Sequence, residues 1–208
     1  MINRNYIERS AAHTIYLVMA RRISMGYSAE ELSWLIGCEP GYVSAVEHYE
    51  QEVYGPELMQ RFAKALDEPH LKNFYAKEKL HGKVFAEMET FTEGNELVHM
   101  ARTLNEQDEI APSYILIEMI GEHQRHSGMN DEDYNMAMAA IKLLKDSGYF
   151  YELHTNQEIF ERIKKFLPPG TLSPFYLREA LNELSTSFST ALVLKVDDDK
   201  MGAGYIEN

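Results

Sequence analysis

The sequence predicts a mainly α fold, and three observations predict it. Residues 21–47 (RRISMGYSAEELSWLIGCEPGYVSAVE) read as two short helices around a glycine turn. Apolar residues recur at spacings of three and four through most of the remaining chain. Strand-like patterns are few: a short aromatic run at 149–151, and residues 190–196 and 201–206 flanking a turn as a hairpin. The 208 residues allow one or two domains, and a hydrophobic content of 45% is enough for a core.

The first helix is expected over residues 6–24, with Ile15, Val18 and Met19 as its apolar stripe. Arg21 and Arg22 near its end complement the helix dipole. Ser28 followed by Glu31 is a capping-box pattern, so a second helix should start at Ala29, with Leu32 and Ile36 on one face. Gly37 suits a left-handed C-cap, and Pro40 suits the first turn of the next helix. In that third helix Val43 and Val46 share a face, and Glu47 closes it. After a loop at 51–56, a helix over 57–66 carries Leu58, Phe62 and Leu66.

These residues resemble the lambda-repressor/Cro-like (XRE) helix-turn-helix domain over about residues 10–67. The matching pattern is Gly26-x-Ser28, Glu30-Glu31-Leu32-Ser33, Ile36-Gly37-Cys38 and Tyr42-Val43-Ser44-x-Val46-Glu47, with Pro56, Leu58, Phe62, Ala63 and Leu66 beyond. The resemblance implies a DNA-binding domain whose third helix enters the major groove. It marks Arg21, Arg22, Ser28, Tyr42, Ser44, Ala45, His48 and Tyr49 as candidate DNA contacts.

The chain departs from the family at points that bear on DNA. The family usually opens the second helix with a Gln that grips phosphate; here the position holds Ala29. The third helix offers Glu39, Gly41, Tyr42, Ser44 and Ala45, none a strong bidentate base reader. Trp34 and Leu35 stand where polar residues are usual, which points to an interface: a second domain, a dimer partner or another protein. Residues 1–70 hold six Lys/Arg against ten Asp/Glu, and the whole chain has a formal net charge of -13. Phosphate neutralisation by basic residues supplies most non-specific DNA affinity, so an acidic chain must gather its cations on one face.

The middle, residues 71–128, is expected to be a helical connecting region. Leu71, Phe74, Tyr75, Leu80, Val84, Phe85 and Met88 suit an amphipathic helix over 71–89, with Lys72, Lys77, Lys79 and Lys83 as a solvated basic face. Gly94 marks a break, and further helices are expected over 96–105 and 113–126. The last part, 129–208, reads as an α+β module: helices over 131–147, 156–167 and 173–184, with Gly148 and Pro168-Pro169-Gly170 as stops, then the hairpin. Helix, short strand, helix, helix, hairpin is a winged-helix-like order. Its tip, Asp197-Asp198-Asp199-Lys200, suits protein better than phosphate.

Glu-x-x-His occurs at Glu78–His81 and at Glu96–His99, a spacing that di-iron bundles use on helices, and Glu118 and Glu122 could complete such a set. Chance pairing explains it better, since the long uniform helices of a bundle are missing. His123 and His126 read as surface residues. No phosphate loop, nucleophile elbow or zinc pattern is present, so neither catalysis nor a cofactor is expected. The single cysteine, Cys38, reads as a small buried hydrophobe in a reducing compartment. The polar start MINRNYIERS and the absence of a long apolar tract suit a cytoplasmic protein without membrane contact. The expected function is that of a DNA-binding transcriptional regulator with weak base readout, its partners duplex DNA and a homodimer or other protein. The alternative is a protein-interaction module on a helix-turn-helix scaffold that has lost DNA binding.

Overall fold

The computed structural model describes residues 2–52, 54–77, 80–104, 110–120, 132–167, 172–186, 193–198 and 202–207. Among them are seven α-helices and seven strands, so the fold is mixed α/β and not mainly α. No helix among the described residues is long and apolar enough to cross a membrane. The chain divides into two compact units, Met1–Glu30 with Gly41–Arg125, and Glu31–Pro40 with His126–Asn208.

The first unit opens with strand β1 (Ile2–Glu8), so the expected first helix loses its beginning to a strand; helix α1 is Arg9–Ser24. The chain continues through α2 (Ala29–Leu35), which runs into the second unit, then α3 (Tyr42–Glu47), α4 (Pro56–Ala65) and a single 3₁₀ turn at Leu71–Phe74. The expected helices of 71–126 are then replaced by strands β2 (Lys83–Glu93), β3 (Glu96–Leu104) and β4 (Ile110–Met119). All four strands form one antiparallel sheet in the order β1-β2-β3-β4.

The physical reason for this correction lies in the pattern of β2 and in one turn. Val84, Ala86 and Met88 are buried at alternate positions, a period of two that a spacing of three and four conceals. Glu93 pairs with Glu96 across Gly94 and Asn95, and Gly94 has φ +61°. A two-residue loop with a positive φ at its first position is a hairpin turn, not a helix break. Between β3 and β4 the register shifts at Ala101/Arg102, leaving Ser113 as the extra residue of a bulge.

Helix α1 covers one face of the sheet. Its buried residues Ile15, Val18, Met19 and Arg22 recur at spacings of three and four, so an arginine continues the apolar stripe. On the other face Arg4 and Arg102 both bond Glu87, at 2.6 and 2.7 Å, and Arg102 also reaches Glu89 at 2.6 Å. The two hydrogen bonds, Arg102 foremost, hold the Glu87 carboxyl below its ordinary value. Along β4, Ile115, Ile117 and Met119 are all more than half exposed.

The second unit contains helix α5 (Glu132–Asp146), a 3₁₀ turn at Tyr149–Tyr151, strand β5 (His154–Thr155), helices α6 (Asn156–Lys164) and α7 (Pro174–Thr186), and strands β6 (Val193–Asp198) and β7 (Gly202–Glu207). The aromatic run 149–151 is thus a turn, and the short strand follows it. The three strands pair in the order β5-β7-β6. Thr155 and Glu158 form a reciprocal capping box at the start of α6, with Thr155 Oγ1 accepting from the Glu158 N–H at 3.3 Å. Tyr134 on α5 donates to the Glu183 carboxylate on α7. Sequence reading places turns at 168–170 and 197–200; Asp197 and Asp198 belong instead to β6, and the other residues of both turns lie outside the described residues.

The segment Glu31–Pro40 belongs to this second unit. Asn156 Nδ2 donates to the Trp34 carbonyl at 2.6 Å, and Ala203 N donates to Gly37 O at 3.1 Å. Glu31, expected in a local capping box, accepts from Ser173 Oγ at 2.6 Å and from the Phe175 N–H at 3.3 Å. It therefore serves the start of α7.

Candidate functional site

None of the eight candidate DNA contacts is exposed. Arg22 and Tyr49 are buried, and the others are half-buried. Arg21 donates from Nε to Leu66 O at 3.0 Å and from Nη2 to Asp67 O at 3.3 Å, closing the end of α4. Tyr42 sits near the ring of Tyr54, 6.4 Å between centroids. Ser28, Ser44 and Ala45 keep partial exposure. Trp34 and Leu35, the expected interface, are 8% and 2% exposed and lie in the second unit.

Arg22 is the centre of a charged cluster inside the first unit. It bonds Glu47 on α3 through Nε to Oε1 at 2.8 Å and Nη2 to Oε2 at 2.9 Å. Its Nη1 donates to Glu118 Oε2 on β4 at 2.8 Å and to Tyr27 O at 2.6 Å. Burial opposes the guanidinium charge, but Glu47 and Glu118 outweigh it and raise the arginine above its ordinary value. For Glu118, burial pushes up; the bond from His99 and the charge of Arg22 prevail and hold it below the usual carboxylate range.

A polar chain leads from Glu118 to α3. His99 Nε2 lies 3.3 Å from Glu118 Oε2, and His99 Nδ1 lies 3.2 Å from Thr90 Oγ1. Thr90 Oγ1 is 2.9 Å from His48 Nε2, and His48 Nδ1 is 2.7 Å from Ser44 O. A carbonyl only accepts, so His48 Nδ1 carries the hydrogen. His48 is thus turned inward, toward the sheet. Glu96 and His99, read as a metal-binding spacing on a helix, are on a strand, where positions three apart point to opposite faces. No group of three His, Cys, Asp or Glu that could hold a metal occurs among the described residues. Glu78, Glu122, His123 and His126 lie outside them.

Beside this cluster, between α1 and the sheet, is a cavity of about 540 Å³. Helix α1 contributes Arg9, Ala12, His13 and Tyr16, spaced so that they share one side. The Tyr16 ring lies 4.6 Å from that of Tyr114 on β4, tilted by 44°. Tyr49 reaches the same wall, its hydroxyl 3.3 Å from that of Tyr114. Burial pushes both phenols above their ordinary value, so both remain neutral hydroxyls. Val84, Leu80 and Leu104 supply apolar wall, and Thr103 and Ser113 pair their hydroxyls at 3.1 Å. Among the described residues, none with a carboxylate lines the space.

The family resemblance assigns Tyr49 to DNA and gives His13 and Tyr16 no role. The signal was there in part: Arg9, Ala12, His13 and Tyr16 recur at helical spacing on a side away from the Ile15 stripe. The strands that close the cavity gave no such signal. No protein-family model, curated protein or solved structure matches the chain.

Proposed function

We propose that this chain is a non-catalytic binding protein whose XRE-like stretch serves as a scaffold for contact with another protein. One observation carries the reading: three of the polar side chains expected to meet DNA, Arg21, Arg22 and His48, bond to groups of the protein itself. Arg22 is held by Glu47 and Glu118, His48 by Ser44 and Thr90, and Arg21 by the end of α4. An electrostatic footprint for phosphate needs cations gathered on the surface. The row of Ile115, Ile117 and Met119 on the edge strand β4 supports a protein partner.

Duplex DNA is the rival partner, and one feature favours it. Tyr42, Ser44 and Ala45 remain partly exposed on α3, and two of the three are small enough for close approach to a groove. Fluorescence anisotropy with duplex fragments from the source genome, at low and near-physiological salt, tests the choice. The scaffold reading expects no binding, or weak binding that added salt removes. Salt-resistant binding to particular fragments, abolished by Ala45→Glu, would overturn it.

A further inference from the structure

We propose that the cavity between α1 and the four-stranded sheet binds a small aromatic carboxylate. This inference does not depend on whether the chain's macromolecular partner is protein or DNA. The volume of about 540 Å³ lies in the range of small-molecule sites, roughly 300–1,000 Å³.

The lining selects the chemistry. In a chain with 33 Asp/Glu against 20 Lys/Arg, the described residues that line this space include Arg9 and none with a carboxylate. A cationic ligand would be repelled by Arg9. An anion would meet a planar fork of donors suited to a carboxylate, with the His13 imidazole one helical turn further on. Part of the lining is aromatic. Tyr16 and Tyr114 lie 4.6 Å apart and tilted, leaving edges and faces against which a ring packs. The Tyr49 and Tyr114 hydroxyls are neutral, so this part adds no negative charge. An inorganic anion would satisfy Arg9 but would leave the Leu104 and Val84 walls unfilled, so a ring with one carboxylate fits both halves of the lining.

The test uses the full chain and three probes of one shape: 2-naphthoate, its neutral amide 2-naphthamide, and the cation 2-naphthylmethylamine, each in equilibrium dialysis. The expected order is naphthoate tighter than naphthamide by about tenfold, the worth of one charge-assisted hydrogen bond, with the amine weakest. Arg9→Gln should bring naphthoate down to the affinity of the amide without moving the thermal midpoint, since Arg9 is exposed. Filling the space by Ala12→Phe should weaken naphthoate and naphthamide alike; if that variant does not fold, Leu104→Phe replaces it. Equal binding of naphthoate and naphthamide, binding of none of the three, or unchanged naphthoate binding by the Arg9→Gln chain would each overturn the proposal.

Discussion

Arg22 and Glu47 share two parallel hydrogen bonds, of 2.8 and 2.9 Å, at a place where neither side chain reaches solvent. The pair joins α1 to α3, and Glu118 extends it to β4. Removing Arg22 takes the arginine from two buried carboxylates, of which Glu118 keeps its bond to His99. Arg22→Met should therefore cost about 3–5 kcal/mol, read as a lower urea midpoint with an unchanged slope. A loss below about 1 kcal/mol would mean that the cluster is solvated in solution.

Acid should act on the same unit. Glu87 and Glu118 both titrate below their ordinary value, the first held by the bonds from Arg102 and Arg4, the second by His99 and Arg22 against its burial. A carboxyl depressed in the folded state adds stability that is complete above its unfolded value. That stability is lost as pH falls through the folded value. Urea midpoints should accordingly be level near neutrality and decline below about pH 4.5, and Glu87→Gln should make that decline shallower. A wild-type and a Gln variant with parallel acid limbs would contradict the assignment.

Two glycines of the turn region should respond differently to alanine. Gly37 (φ +71°) and Gly41 (φ +83°) are both left-handed, which costs an L-residue roughly 1–2 kcal/mol. At Gly41 an added Cβ meets nothing within 4 Å. At Gly37 it would stand 2.7 Å from the Ala203 backbone N, the same group that donates to Gly37 O. Gly37→Ala should be the more destabilising of the two by thermal melting, and equal midpoints would argue against this approach of the turn to β7.

The apolar row on β4 should govern self-association. Ile117→Lys places a charge on an exposed edge strand, a device that blocks edge-to-edge pairing. Sedimentation velocity over a range of concentrations should show less association for this variant than for the wild type, with the thermal midpoint nearly unchanged because the position is already open. Association that is unaltered by Ile117→Lys would move the contact elsewhere.

What could be read from sequence depended on how local its cause was. Helices α5, α6 and α7 end at signals carried by single residues: Gly148 after α5, Thr155 before α6, Pro174 at the start of α7. The central strands are hidden because Val84, Phe85 and Met88 satisfy a helical spacing while Val84, Ala86 and Met88 satisfy an alternating one, and only pairing with β1 and β3 decides between them. Arg22 is an intermediate case. Its place on the Ile15–Met19 stripe is legible and foretells burial, but its partners stand 25 and 96 residues away. The cavity shows the same division, with the α1 side legible and the sheet side set by pairing.

The membership of Glu31–Pro40 in the second unit has a consequence for synthesis. Those ten residues leave the ribosome long before residue 126, where the rest of their unit begins. At roughly 5–20 residues per second the wait is on the order of 4–17 s. During it Leu32, Trp34, Leu35 and Ile36, all buried in the finished protein, have no completed unit to enter. A nascent chain carrying this segment is a natural client for a chaperone, and a fragment ending near residue 125 would leave the same four side chains permanently without their partners.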